Sequence, residues 1–478
     1  IILNYPLNFI IYRTLEKIED IKMPLNKEQF LKQFTRQALD ERISLFVGAG
    51  ASINAGYPSW YSLLKPLAKE LGTPLSDSTN YYKLAQYYSN NFGQPELLKR
   101  INEVLNKNDC DSPLINELID IGFSNIWTTN FDNVLENNYK KRNILINKVF
   151  RDSDLSNVEL NKRINIYKMN GDITNPDGIV ATQEDYEKYS YNHRMMLMFF
   201  KRELISSTFL FIGYSFSDYL VMDCLSEIAK YLGNATPQHY TILKREKDNP
   251  YFDYFIHDLE LRYHIKVFLV DEYDEILFVL KELNERIRNK KVFISGAFRS
   301  FNQEVVKYSH NLSRSISYQL LENDYRIVNG IGRHFGTHII GYANEYLAQK
   351  GIKDKEKYII VKPFVGFGEN SLENKKKLRE DVIKGCGAVI FAFGDYNPDA
   401  PNPNSGVKEE FEIALKYHKT IIPIAYPDMR SEQIWLQIKN NLTLYPYLEK
   451  SILSLTSQND TETLAKTIVY ILNSVQEP

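Results

Sequence analysis

Four short runs in this sequence set small or polar residues directly behind apolar strands, where side chains and bare backbone can face a ligand. The stretch SLFVGAGASINAGYPSW (44–60) places Gly48, Ala49, Gly50 and Ser52 after one strand and before a helix. Glycine inside a regular element costs roughly 0.5–1 kcal/mol relative to alanine, so such a cluster asks for a reason. Either the chain makes a tight strand-to-helix turn, or an anion such as a pyrophosphate lies against exposed N–H groups. TTNFD supplies Thr128, Thr129, Asn130 and Asp132, and GYSFSD supplies Gly213, Ser215 and Asp218. YKMNGD adds Asn170 and Gly171. Packing alone is a poor explanation for so many polar strand tips. Asn130 has two open roles, positioning a ligand or capping the helix that follows.

The elements that must carry these groups alternate between strand and helix. Phe30, Phe34 and Ala38 give helical spacing between Leu25 and Arg42, and a second helix is expected around Trp60–Glu70. Apolar strands are expected at ISLFV, FSNIWTTNFD (123–132), RINIYKMNGD (163–172), STFLFIGYSFSD (207–218), QHYTILK (238–244) and YHIKVFLV (263–270). This is the βαβ alternation of a mostly parallel sheet, whose ligands bind beyond the carboxyl ends of the strands. The pattern resets near NERIRNKK (284–291). A second set then runs through KVFISGA (291–297), YRIVNGIGRHFG (325–336), KYIIVKPF (357–364), GAVIFAFGD (387–395) and TIIPIAY (420–426), with a helix at GVKEEFEIALKYH (406–418). NPDAPNPNSG (397–406) reads as a mobile loop. The fold class is therefore α/β, with two Rossmann-like domains of mostly parallel strands. Residues 1–24 form a lead-in, 25–286 the first domain and 290–478 the second.

A chain of 478 residues with 44% hydrophobic and 25% charged residues is a multidomain globular protein. Its formal charge of −2 gives no general attraction to nucleic acid or an anionic membrane, so neither is expected as a partner and any phosphate must be held locally. Cys110, Cys224 and Cys386 are odd in number and form no CxxC pair, which fits a reducing cytoplasm and no zinc module. No metal is expected. The opening residues contain Asn4, Pro6, Asn8 and Arg13 and approach neither a membrane span nor a signal peptide; Met23 is a plausible natural start.

The order GAGxS, T-x-N-x-D, x-G-D and G-x-S resembles the sirtuin family over about residues 25–285. That resemblance implies NAD+ as substrate. It puts the dinucleotide phosphates at Gly48, Ala49, Gly50 and Ser52, and nicotinamide with its ribose at Asn130 and Asp132. The adenosine side falls at Gly213 and Ser215, with Asp218 and Gly171 completing the binding set. Two departures shape the expected reaction. The cysteine pairs of sirtuin deacylases are absent, which favours water over an acyl-peptide as acceptor. Where the family has His-Gly, this chain has Asn170-Gly171. A histidine there can take a proton from a ribose hydroxyl, whereas an asparagine amide can only hydrogen-bond. General-base help is typically worth about 10²–10⁴-fold, so a chain with Asn170 is expected to be slow. Asn170 is either a natural variant or an introduced, inactivating change. Among the histidines, His193, His239, His257 and His264 lie in the first domain but in no strand-tip setting, and each reads as structural or solvated.

The second half resembles the SLOG family, which binds nucleotide-derived ligands, through the glycines of ISGA, VNGIGRHFG and FGD. Gly296, Gly330 and Gly332 mark those turns. A sirtuin-like domain followed by SLOG is similar to the NAD-consuming effectors of Thoeris antiphage defence. Further matching stretches are SWYSLLKPLAKELG (59–72), KLAQYY (83–88), EDYEKYS (184–190) and TFLFIGYSF (208–216). This resemblance implies activation by a cyclic ADP-ribose isomer made by a TIR-domain partner. It also implies a homotetramer that can form filaments. By position it places Arg379 on a ligand phosphate and Glu410 on a ribose hydroxyl; Lys408, two residues before Glu410, is a candidate for an added basic contact. Without the resemblance, Arg379 would read as a helix-surface charge, although a guanidinium suits phosphate well. The rival readings are a non-catalytic NAD-binding sensor and a sirtuin-type protein deacylase.

Overall fold

The computed structural model describes residues 24–75, 79–105, 111–158, 163–299, 302–364, 371–395 and 406–476. The lead-in through residue 23, Cys110 and the expected loop over 397–405 lie outside them. The chain divides into two compact units between Asn284 and Glu285.

The first unit is built on seven parallel strands: β1 (Ile43–Val47), β2 (Asn125–Thr128), β3 (Ile146–Val149), β4 (Ile164–Lys168), β5 (Thr208–Ile212), β6 (His239–Lys244) and β7 (Ile265–Val270). They lie in the order β3-β4-β2-β1-β5-β6-β7. The central strands β1 and β5 are buried at every residue, as expected where helices cover both faces of a parallel sheet. The helix Lys27–Leu39 starts at a capping box between Asn26 and Gln29 and buries Phe30, Leu31 and Phe34. On the other side, Trp127 of β2 stacks on Tyr167 of β4 at 4.1 Å and meets Phe200 at 4.9 Å. Six of the seven strands match the sequence reading. The seventh, β3, is a half-exposed edge strand, INKV, paired only with β4, and its polar middle hid it.

The chain runs outward from β1 to one edge, then returns to begin the other side at β5. The order therefore reverses between β1 and β5, the kind of place where an open α/β sheet leaves a crevice beyond its carboxyl ends.

The second unit carries the five expected strands: β8 (Lys291–Ser295), β9 (Arg326–Asn329), β10 (Ile359–Val361), β11 (Ala388–Ala392) and β12 (Thr420–Ile424). All are parallel, in the order β10-β9-β8-β11-β12. Its core gathers Phe293, Ile390, Phe391 and Ile422 from the strands with Leu312, Ile316 and Leu347 from the helices. No helix among the described residues is long and apolar enough to cross a membrane.

Candidate functional site

Register brings the sequence-predicted groups of the first unit into one row. Val47 of β1 pairs with Thr128 of β2 and Ile212 of β5, and Thr128 pairs with Lys168 of β4. The next residues along each strand are Gly48, Thr129, Met169 and Gly213. One step further lie Ala49, Asn130, Asn170 and Tyr214. Asn130 and Asn170 thus occupy equivalent positions on neighbouring strand tips, beside the glycine turn.

That turn answers the question raised by its glycines. Only five residues, Ala49–Ile53, form a helix after it. Gly48 N–H donates to Ile212 O and Gly50 N–H to Gly213 O, both at 2.9 Å. A Cβ on Gly48 would stand 2.4 Å from Gly213 O. Gly213 itself adopts φ +65°, and its own Cβ would stand 2.3 Å from Ala51 N. The tips of β1 and β5 press backbone on backbone, so these glycines are required by the chain's own packing before any ligand is considered.

Asn130 links the two middle tips. Its Nδ2 donates to Gly48 O and to Ser52 Oγ, each at 3.1 Å, and its N–H donates to Thr128 Oγ1 at 3.0 Å. Thr128 Oγ1 in turn donates to Val47 O at 2.7 Å. Asn130 does not cap the following helix Val134–Lys141, whose N-cap position is Asn133; the first N–H of that helix, Val134 N, donates to Asp132 Oδ1 at 3.0 Å. A pocket here is lined by Ala49, Ser52, Trp60, Thr129, Asn130 and Asp132. A wider depression between Lys99 and Asp177 includes no strand-tip group.

Beneath the pocket lies a buried charge network absent from the sequence reading. Lys168, 1% exposed, sits at 2.8 Å from Asp172 and 3.0 Å from Glu136, and donates to Phe131 O at 3.0 Å. Burial opposes its charge, but Glu136, Asp172 and Asp132 outweigh that and raise its pKa. Burial would likewise raise Asp172, yet Lys168, Thr174 and Lys148 bring it down to about 2. Asp132 goes the other way: burial raises its carboxyl against the pull of Lys168. The only sequence signal was a lysine closing the apolar end of β4, in YKM.

Asn170 is 2% exposed. Its Nδ2 donates to Tyr186 Oη at 2.9 Å, and its backbone carbonyl accepts from Val180 N at 2.9 Å. Gly171, at φ +92°, turns the chain against Gly178, whose oxygen would lie 2.3 Å from a Cβ. Tyr186 Oη lies 2.7 Å from Tyr82 Oη, and both phenols reach Asp218 Oδ2, at 2.8 Å from Tyr186 and 3.2 Å from Tyr82. Asp218 also caps helix Tyr219–Leu232 through Oδ1, which accepts from Leu220 N at 2.9 Å. Burial, then the Asp218 charge, hold both phenols far above their ordinary range. Trp60 packs between Phe131 and Tyr82, at 5.5 and 6.1 Å, and joins this cluster to the pocket. Ser215 is exposed and bonds Ser217 Oγ at 2.7 Å. Tyr82 and Tyr186 were not among the sequence-derived site residues, although Tyr186 falls in the matching stretch EDYEKYS.

His239 is buried in β6, where it accepts from Phe209 N at 3.1 Å through Nδ1; burial drops its pKa to about 3. His193 stacks on Tyr189 at 4.6 Å. Neither stands at a strand tip.

In the second unit, Arg379 of helix Ser371–Lys384 meets Glu409 and Glu410 of helix Gly406–Lys416, the latter at 3.3 Å. Its guanidinium lies over the Phe364 ring at 5.2 Å. Ser295, the last residue of β8, donates to Glu410. Burial pushes the Glu410 carboxyl up to about 7, although Ser295 and Arg379 pull the other way. Lys408 pairs along its own helix with Glu412 at 3.8 Å. Gly296 and Gly332 meet backbone to backbone, and Gly330 lies under Phe364. Ser295 and Glu409 were missing from the sequence-derived set; both flank residues that were in it. Among the described residues, no group of three or more His, Cys, Asp or Glu is arranged to hold a metal.

Fold and site together define a two-unit α/β protein with glycine and polar residues at the strand tips of each unit. Residues 124–264 match the model of the SIR2-like domain, and residues 275–475 match that of the Sir2- and TIR-associating SLOG family. Over almost its whole length the chain is similar to proteins named NAD(+) hydrolase ThsA. That from Bacillus cereus (strain MSX-D12) is 28% identical, covering 96% of this chain and 98% of the relative. That from Enterococcus faecium is also 28% identical, over 95% of this chain and all of the relative. Defense-associated sirtuin 2 of Bacillus subtilis is 24% identical over 45% of this chain and 22% of its own length.

Proposed function

We propose that the chain is an NAD+ glycohydrolase, converting NAD+ and water to ADP-ribose, nicotinamide and a proton. The observation that carries this reading is the shared row of Ala49, Asn130 and Asn170 on adjacent strand tips, with Asn130 tied to the glycine turn. In this reading the turn from Gly48 to Ser52 faces the dinucleotide phosphates, Asn130 and Asp132 face the nicotinamide ribose, and Trp60 walls the pocket. Full-length similarity to proteins named NAD(+) hydrolase supports it.

With asparagine at position 170, bond cleavage lacks a base for a ribose hydroxyl, and turnover is slow. The second unit senses a small nucleotide, taken to be a cyclic ADP-ribose isomer from a TIR-domain partner. The cluster of Arg379, Glu410 and Ser295 supports that role, since it offers a guanidinium for phosphate and a carboxyl for a ribose hydroxyl. The wider reading is an antiphage effector in the cytoplasm that works as a homotetramer, with filaments as its activated form, and depletes cellular NAD+. The buried free thiols of Cys224 and Cys386 agree with a reducing compartment.

The test is chromatography of NAD+ incubated with this chain and with Asn170→His, each with and without cyclic ADP-ribose isomers. Stoichiometric ADP-ribose and nicotinamide from the histidine variant, dependent on an isomer, is the expected result. NAD+ left intact by both proteins under every condition rejects the hydrolase.

A further inference from the structure

The side-chain oxygen of Asn170 is buried and has no hydrogen-bond partner. Such an acceptor is costly to leave empty, and Asn170 stands in the same row of strand tips as Asn130. Whether oxygen or nitrogen faces Tyr186 is settled by counting protons. Tyr82, Tyr186 and Asp218 bring three oxygens within 2.7, 2.8 and 3.2 Å of one another. The Asp218 carboxylate contributes no hydrogen, so the two phenol protons are both needed to hold the three oxygens together. None remains for Asn170. At 2.9 Å, Asn170 must therefore be the donor to Tyr186 Oη, and its carbonyl oxygen must point away from that cluster.

We propose that Asp218 and Tyr186 are positioning residues that lock the Asn170 amide with its oxygen turned toward the ligand, so that this position accepts a hydrogen bond from a hydroxyl of the nicotinamide ribose. The proposal rests on the NAD+ reading above and deepens it. Position 170 then retains substrate recognition although it cannot take a proton. The second function of Asp218 constrains how a variant behaves. In Asp218→Asn, the cap at Leu220 still needs an oxygen, which turns the new amide nitrogen toward the phenols. That nitrogen brings its own protons, releases the Tyr186 proton toward Asn170 and lets the Asn170 amide flip, presenting a donor to the ligand.

The experiment is calorimetric binding to the full chain of NAD+ and of two analogues, with fluorine replacing the 2′- or the 3′-hydroxyl of the nicotinamide ribose. Fluorine donates nothing and accepts poorly. For the parent chain, one analogue should bind at least ~10-fold more weakly than NAD+. In Asp218→Asn that penalty should fall below ~3-fold, because a flipped amide no longer demands a donor. Tyr186→Phe should also release the amide and shrink the penalty. Tyr82→Phe should keep it, since the Tyr186 proton stays on Asp218. The proposal is overturned if both analogues bind the parent as NAD+ does, or if the penalty survives in Tyr186→Phe with an unchanged melting curve. If Asp218→Asn fails to fold, Tyr186→Phe and Tyr82→Phe decide the matter. If the parent binds none of the three ligands, with or without a cyclic ADP-ribose isomer, the NAD+ reading fails and takes this proposal with it.

Discussion

Gly48 and Gly213 lie back to back at the tips of β1 and β5, and neither position has room for a Cβ: the nearest backbone atoms would be 2.4 and 2.3 Å away. Gly213 also holds φ +65°, which side chains rarely adopt. Gly213→Ala combines a clash with backbone strain and should destabilise the first unit by about 2–4 kcal/mol. Gly56→Ala, also at positive φ but with open space around it, should cost about 1 kcal/mol. Urea unfolding of the two variants checks the difference.

Asn170→His would place a base at a position already tied to Tyr186. The expected change is an increase in kcat of about 10²–10⁴ with KM within a few-fold of the parent, read from steady-state nicotinamide release. An increase confined to lower KM would mean that the residue binds substrate without moving a proton.

Lys168 is the only described cation whose side chain lies between buried Asp172 and Glu136. Lys168→Met keeps length and removes the charge, leaving Glu136 without this ion pair and Asp172 with Lys148 alone. The expected loss is about 3–5 kcal/mol of stability, measured by thermal or urea unfolding. Asp172, held at about 2 in the folded chain, contributes stability that is present above the ordinary aspartate range and lost as pH falls toward 2. Acid unfolding should therefore begin at a higher pH in Lys168→Met than in the parent.

Glu410 behaves in the opposite sense. Burial lifts its folded pKa to about 7, so the folded chain holds a proton there that the unfolded chain releases in the ordinary glutamate range. Its contribution to stability is fully present below that range and is lost as pH rises to about 7. Amides of β8 and β11 should exchange faster at pH 8 than at pH 5 after correction for intrinsic rates. Glu410→Gln should remove most of that slope.

The central strands and both glycine turns were legible because buried parallel strands are continuous apolar runs and strand-tip glycines stand out against them. The edge strand β3 was not, because Asn147 and Lys148 break the apolar pattern where one neighbour is missing. Asn130, Asp132, Asn170 and Asp218 were all visible as polar residues at strand ends, but their partners were not. Tyr82 and Tyr186 sit 104 residues apart, and only the packing of their helices brings the phenols to one carboxylate. Lys168 was passed over because a lysine next to a site is ordinarily solvated. The glycine turn was the least informative signal about a ligand, since Gly48 is pressed against Gly213 and Gly213 against Gly50 and Ala51.

The most direct test of the central claim is the rate of nicotinamide release from NAD+ by Asn170→His and by the double variant Asn130→Ala/Asn170→His, with cyclic ADP-ribose isomers present. Asn130 ties the glycine turn to the β2 tip, so the account predicts release by the first protein and a loss of at least ~100-fold in the second, with folding intact. Equal rates in the two proteins would contradict a reaction centred on these strand tips.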